Sequence, residues 1–241
     1  TNLYPSVDIL ATMDCMRALG AKIDFDGDKA VIKGIKDIPE SAVLDCCESG
    51  STLRFLIPVA CAFGGDTQFI GRGRLPQRPI TPYLEEFPKH GVSFEYNNTM
   101  PFSTNGKLTG GKFYVDGGIS SQFITGLLFA LPLLEEDSEI ILTSHLESKP
   151  YVDITLGTLR EHGCQVAETE NGYFVKGGQH YMPFSGRVEG DYSQAAFFKV
   201  ANSLGSDIDI AGLSEKSFQG DKKIVEICEK IVYNKNGGLQ P

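Results

Sequence analysis

The sequence predicts an α/β fold of repeated units, each with two helices and about four strands, packed around shared helices. Two series of landmarks predict it. Gly20, Gly91 and Gly163 lie 71 and 72 positions apart, and each closes a helix-like pattern and opens a short alternating strand. Ser49, Ser121 and Ser193 recur every 72 positions, each just ahead of an apolar run. Two landmarks sharing one period mark a duplicated folding unit. A period this long excludes short solenoid repeats of about 20–50 residues.

The elements follow from these landmarks. Gly20, Gly91 and Gly163 suit the left-handed position just past a helix end, where a Cβ is costly. Strands are expected directly after them at 21–25, 92–96 and 164–167, where apolar and polar residues alternate. Second strands ending near glycine are expected at 29–34, 112–117 and 173–177. The serine series marks helix starts, because a serine hydroxyl can satisfy a free backbone N–H there. The helices expected behind it are 52–63, 123–134 and 195–204, each followed by a strand, at 67–70, 139–143 and 207–210. Further helices are expected at 152–161 and 222–231, and 234–238 reads as a turn. Pattern alone leaves the strand directions open.

Residues 1–184 are expected to form the main domain and 185–241 the start of a second, from about Arg187 onward. The first unit begins at Thr1 inside what should be an earlier strand, and the helix at 222–231 opens a unit that is not completed.

Composition narrows the functional classes. The 241 residues are 41% hydrophobic and 22% charged, enough to bury a sizeable core. A formal charge of -9 argues against a nucleic-acid partner, which needs a basic face. Anions remain possible ligands if the few basic residues converge. Residues 1–8 lack the basic start and apolar stretch of a secretion signal, and the longest apolar run, 123–134, is too short to span a membrane. None of the six cysteines forms a CxxC pair, so reduced thiols in a cytoplasmic protein are expected. His90, His145, His162 and His180 have no metal-ligand spacing. His90 and His162 precede equivalent glycines, which suggests helix C-terminal roles.

Candidate chemistry sits at the helix starts, where exposed N–H groups and the helix dipole attract anions. Capping is the plain reading of any single serine, but two openings are unusual. In Glu48-Ser49-Gly50-Ser51-Thr52-Leu53-Arg54, Gly50 allows close backbone approach, Ser51 and Thr52 add hydroxyls, and Arg54 falls on the first turn. In Gly117-Gly118-Ile119-Ser120-Ser121-Gln122-Phe123, two hydroxyls and an amide can surround a phosphate without a metal. Between them, Arg72, Arg74 and Arg78 stand within seven residues of an acidic chain, and arginine suits bidentate binding of carboxylate or phosphate. Ser148-Lys149-Pro150-Tyr151 brings a hydroxyl, a cation and a phenol to another helix start.

These segments carry a resemblance. The stretch from Leu44-Asp45-Cys46-Cys47 through Arg54 resembles the glycine-rich phosphoenolpyruvate segment of the 5-enolpyruvylshikimate-3-phosphate synthase family. Gln77-Arg78-Pro79-Ile80 is similar to its arginine segment, Ser120-Ser121-Gln122-Phe123 to its shikimate-phosphate segment, and Ser148-Lys149-Pro150-Tyr151 to its serine-tyrosine segment. Gly190-Asp191-Tyr192-Ser193-Gln194-Ala195-Ala196-Phe197-Phe198 and Gln219-Gly220-Asp221 resemble the opening of its second domain. The matches run in family order along nearly the whole chain. The resemblance implies the enolpyruvyl transferase fold, here incomplete: two domains of three βαβαββ units with the site in the cleft between them. It implies that Ser120, Ser121, Ser148 and Tyr151 hold shikimate 3-phosphate. Gly50, Arg78 and Gln122 would hold phosphoenolpyruvate, with Ser51 beside it, and glyphosate would occupy the same place.

It also implies that the family's Lys-Ser…Arg segment precedes Thr1, and that the catalytic carboxylates, lysine and remaining arginines follow Pro241, so no catalytic residue is expected in this chain. Glu48 stands where many members have asparagine, and its carboxylate would repel an anion unless protonated, paired or turned away. The implied reaction is attack of the 5-hydroxyl on C2 of phosphoenolpyruvate, protonation of C3 and loss of phosphate. It needs no metal or organic cofactor. A monomer with these two small-molecule substrates is expected, and the chain alone is expected to bind shikimate 3-phosphate weakly, without turnover. Two rivals stand beside this reading. UDP-N-acetylglucosamine 1-carboxyvinyltransferase shares the fold, but its reactive loop cysteine has no clear counterpart here. A non-catalytic repeat scaffold would show a broad apolar patch instead of an anion site.

Overall fold

A computed structural model describes residues 5–27, 29–186, 188–230, 232–234 and 238–240. Thr1–Tyr4, Asp28, Arg187, Ile231, residues 235–237 and Pro241 lie outside the described residues. The expected strand at Thr1, the boundary residue Arg187 and the middle of the turn at 234–238 therefore fall outside it too.

The described chain opens with helix α1 (Val7–Ala18) and a hairpin, β1 (Lys22–Phe25) and β2 (Ala30–Lys33). Ser6 caps α1 by accepting from the Ile9 N–H, and Asp8 sits in the first turn where the dipole favours it. Two full units follow. The first is β3 (Ser41–Asp45), α2 (Gly50–Phe63), β4 (Asp66–Ile70), α3 (Thr81–Glu86) with a 3-10 turn Phe87–His90, β5 (Val92–Glu95) and β6 (Phe102–Gly106). The second is β7 (Gly111–Val115), α4 (Ser121–Ala130) with a 3-10 turn Leu131–Leu133, β8 (Ser138–Leu142), α5 (Lys149–Glu161), β9 (Val166–Thr169) and β10 (Gly172–Val175). Each is a βαβαββ unit.

The two sheets have one topology. The strand orders are β3-β4-β6-β5 and β7-β8-β10-β9. The first pair of each sheet is parallel and the other pairs are antiparallel. A parallel pair needs a long crossover, and α2 and α4 supply it. Their openings therefore hang from the carboxyl ends of parallel strands, where α/β sheets hold ligands.

The core is shared between the units. Helices α2 and α4 lie side by side, and Leu53, Ile57, Phe123, Ile124 and Leu127 between them are buried. A Cβ at Gly126 would overlap the Arg54 carbonyl and the Tyr83 hydroxyl, so glycine sets how closely the helices approach. Pro58 lies inside α2 and has no N–H, which deprives the Arg54 carbonyl one turn earlier of its helical donor. The buried Tyr83 hydroxyl supplies it, 2.7 Å from that oxygen and 3.1 Å from the Phe123 carbonyl. Burial holds the Tyr83 phenol well above its ordinary pKa, so it stays a donor.

All three landmark glycines are left-handed as expected, with φ of 103, 86 and 79° at Gly20, Gly91 and Gly163. The helix caps coincide with the serine series at Ser49 and precede it by one and two residues in the later two helices. Ser121 and Ser193 are the first and second residues of α4 and of α6 (Tyr192–Ser203), and the caps are Ser49, Ser120 and Asp191. Ser120 and Asp191 place a side-chain oxygen on the N–H two residues on, so the cap precedes the serine that the period picks out. Residues 112–117 pair with β8 instead of following 92–96. The hairpin partner of β5 is β6, whose polar Ser103-Thr104-Asn105 hides it as a strand. Residues 207–210 form no strand among the described residues. One backbone bond, Gly190 N–H to the Gly212 carbonyl, joins that region, and one bond makes no ladder. Beyond α6 come a 3-10 turn Gly220–Lys222, α7 (Lys223–Lys230) and the hairpin β11 (Val232–Asn234) with β12 (Gly238–Gln240).

Candidate functional site

The turn from β3 into α2 begins at Cys46 and Cys47. Cys47 is left-handed at φ 51°, and Asp45 holds it by accepting from its N–H at 2.8 Å. Ser49 caps the helix, with its oxygen 3.3 Å from the Thr52 N–H and 2.8 Å from the Thr52 hydroxyl. The Ser51 hydroxyl lies 3.2 Å from that of Ser49. Gly50 is the first helical residue. A Cβ there would stand 3.2 Å from Arg78 Cζ and would overlap Nη1, so the guanidinium lies across the helix start. Arg78 is delivered by a 3-10 turn, Leu75–Gln77, with Pro76 inside it.

A second guanidinium joins the first. Arg54 Nη1 donates to Gln122 Oε1 at 2.9 Å and Nη2 to the Pro79 carbonyl at 3.2 Å. Its Cζ sits 4.7 Å over the Phe123 ring, and its buried Nε has no partner among the described residues. Burial, and then the charge of Arg78, hold its pKa below the ordinary arginine value. Among the described residues the Arg78 side chain makes neither an ion pair nor a hydrogen bond. Two neighbouring cations with no carboxylate between them would be relieved by an anion. The start of α4, where Ser120 caps and Ser121 is buried, is joined to the first turn of α2 by the Arg54–Gln122 bond.

The 72–78 arginines divide. Arg72 donates to Cys47 Sγ at 2.9 Å and lies 3.8 Å from Asp45. The thiol contact, more than the carboxylate, raises its pKa. Only Arg78 reaches Gly50. Glu48 is turned toward this loop, with its carboxylate packed against Gly73, and its charge acts on Arg72. This answers the repulsion expected at position 48.

The α4 opening is tied to the α5 opening. Gly117 accepts from the Glu147 N–H at 3.1 Å, and Gly118 donates to Ser144 Oγ at 3.1 Å. A Cβ at Gly117 would crowd His145 and Leu146. This stitch brings the Ser120–Ser121 and Ser148 loops together. Ser148 is left-handed, at φ 58° and ψ 37°, and its hydroxyl does not cap α5. A strained serine that keeps its hydroxyl uncommitted is what a ligand contact requires. Tyr151 stands beside it, 56% exposed. Lys149 is committed elsewhere, 2.5 Å from Asp153 and 3.5 Å from Glu168. The Asp153 hydrogen bond leads the causes that raise its pKa.

Arg78 thus lies across Gly50, with Ser51 next in sequence, and Gln122 is tied to the same helix through Arg54, while Ser148 and Tyr151 stand at the start of α5. Arg54 was visible only as a first-turn residue. Its spacing of four from Gly50, which puts both on one helix face, is the signal that could have promoted it. His90 joins the units instead of a ligand: its ring lies 3.3 Å from the Gly110 carbonyl and 3.1 Å from that of Lys112, and stacks on Phe113. A depression on the β1–β2 hairpin shares no residue with the site, and the Arg17 guanidinium in it is bound to the Ile23 carbonyl and Asp14. Among the described residues no three His, Cys, Asp or Glu side chains gather as a metal would need, and no helix is long and apolar enough to cross a membrane.

Known proteins are similar to this chain in sequence and in shape. The family model described as EPSP synthase (3-phosphoshikimate 1-carboxyvinyltransferase) matches residues 1–236. A 3-phosphoshikimate 1-carboxyvinyltransferase of Clostridium beijerinckii is 43% identical over 252 aligned positions, covering 99% of this chain and 58% of that protein. One of Clostridium perfringens is 46% identical over 233, covering 95% and 55%. The solved EPSP synthase of Acinetobacter baumannii superposes with a TM-score of 0.76 at 21% identity, covering 95% of this chain and 52% of that one, and shows the fold. The chain spans just over half the length of these relatives.

Proposed function

The chain belongs to the EPSP synthase family, and on that premise we propose that it carries the substrate-phosphate half of a 3-phosphoshikimate 1-carboxyvinyltransferase site. The reaction moves the carboxyvinyl group of phosphoenolpyruvate to the 5-hydroxyl of shikimate 3-phosphate and releases phosphate. One observation carries the reading: the Arg78 guanidinium lies across Gly50 at the start of α2, with no anionic partner among the described residues. Such a start offers backbone donors, a favourable dipole and a planar fork to one anionic group.

In this reading Gly50, Arg78 and Gln122 hold phosphoenolpyruvate, with Ser51 beside it. Ser120, Ser121, Ser148 and Tyr151 hold shikimate 3-phosphate. The chain positions both substrates and neutralises their charge, which lowers the barrier by orientation and electrostatics. Residues 1–184 form one domain and 185–241 the opening of the next. The protein acts as a cytoplasmic monomer, in keeping with its six free cysteines, which fit a reducing compartment. Titration calorimetry with shikimate 3-phosphate and phosphoenolpyruvate tests the reading. Binding of both, weakened separately by Ser148→Ala and Arg78→Ala, is expected, with no phosphate release by this chain alone. Equal affinity in wild type and both variants would sink it.

A further inference from the structure

The Arg54–Gln122 contact carries an inference about orientation. We propose that Arg54 is a positioning residue that locks the Gln122 side-chain amide with its oxygen turned away and its two hydrogens left to meet the anion beside Arg78. The inference rests on the reading of this site as an anion site.

The lock follows from donor chemistry. A glutamine amide can flip, and its two ends are nearly alike in shape. Arginine has only donors, so the amide end 2.9 Å from Arg54 Nη1 is the oxygen. That leaves the NH2 end as the part of Gln122 free of Arg54. An amide turned the other way would aim an oxygen at an anion and repel it.

Arg54 is itself held on several sides. Its Nη2 reaches the Pro79 carbonyl at 3.2 Å, and its Cζ packs 4.7 Å over Phe123. Tyr83 anchors its backbone carbonyl at 2.7 Å. The Pro79 contact matters because Pro79 follows Arg78, so one guanidinium fastens both the segment that carries Arg78 and the side chain of Gln122. This arrangement would place α2, the arginine loop and α4 before a ligand arrives. It is a low-cost form of preorganisation, since the Gln122 side chain and the Pro79 backbone need not be ordered on binding.

A double-mutant cycle read by phosphoenolpyruvate titration tests the lock, with circular dichroism to confirm folding. Gln122→Ala is expected to weaken binding about ten-fold, the worth of one hydrogen bond to a charged group. Arg54→Met should lose nearly as much, and the double variant no more than Gln122→Ala alone. Gln122→Glu, which keeps the Arg54 contact but has no donor, should bind as weakly as Gln122→Ala. In the unliganded chain, 15N NMR should show the Gln122 side-chain amide resonances moving in Arg54→Met and largely restored in Arg54→Lys. Additive losses would mean that Arg54 contacts the anion directly, and would overturn the proposal. So would wild-type binding by Gln122→Glu, or an unmoved amide resonance. If Arg78→Ala also binds like wild type, the anion-site reading falls with it. If Arg78→Ala alone weakens binding, that reading survives and only the lock is lost.

Discussion

Three hairpins share one register and meet different fates. The third residue after each left-handed glycine pairs with a residue two before a later glycine, Gly34, Gly106 or Gly177: Ile23 with Ile32, Phe94 with Thr104, and Val166 with Val175. In the full units a third strand lies alongside, through Thr67 opposite Thr104 and Ser138 opposite Val175. Thr104 is then 3% exposed and Val175 0%. Nothing among the described residues pairs with the far edge of β2, and Ile32 is 64% exposed. A threonine is buried and an isoleucine at the equivalent place is bare. Burial here is conferred by the neighbouring strand, and side-chain type only makes it favourable.

The comparison would break most visibly in the cores. Phe113 is fully buried between His90 and Phe87. Phe113→Ala should cost about 3–5 kcal/mol in urea denaturation, against under about 1 kcal/mol for Ile32→Ser. Comparable losses would mean that the hairpin is covered after all. Next comes the bond that repairs the proline in α2. Tyr83→Phe strands the Arg54 carbonyl and should cost about 1–3 kcal/mol, measured in the same titration.

Glycines sharpen the contrast at the site. Gly50→Ala pushes a methyl into Arg78 and should lower phosphoenolpyruvate affinity by about ten-fold or more, about 1.4 kcal/mol. Gly34, at the end of the open hairpin, has nothing within 4 Å of a built Cβ, so Gly34→Ala should leave affinity unchanged. A drop in both would argue that the hairpin contributes to the site.

The last contrast is between thiols and shows no effect below pH 9. Burial in α2 pushes the Cys61 thiol up from the ordinary 9.0 to about 12. The unfolded thiol ionises first as pH rises, so the stability tied to the neutral form is complete below 9 and lost through about 12. Cys61→Ala should flatten this alkaline decline. Half-exposed Cys47 and Cys228 should react with iodoacetamide in the native chain, and Cys61 only after unfolding.

Much of the repeat was legible. Glycine conformation depends on a residue's own sterics, so Gly20, Gly91 and Gly163 could be placed without knowing any neighbour. Apolar helix runs and the Gly50 and Ser120-Ser121-Gln122 openings were legible for the same reason. Strand β6 was not, because its inward-facing Thr104 is polar and is buried by partners that pattern does not reveal. Candidate residues could be picked from the sequence, but not their wiring. Three arginines looked alike, and only packing sent Arg72 to Cys47 and Arg78 to Gly50.

The chain's own order of residues determined the period, the helix starts to within three residues, the left-handed turns and the candidate residue types at the helix openings. Tertiary structure alone decided the strand directions, the missing cover over Ile32, the use of Tyr83 to repair Pro58 and the placing of Arg54 against Gln122. Local preferences are set by a residue and its near neighbours along the chain. Burial and hydrogen-bond partners are set by groups many residues away, 68 in the case of Arg54 and Gln122, which meet only when the units pack.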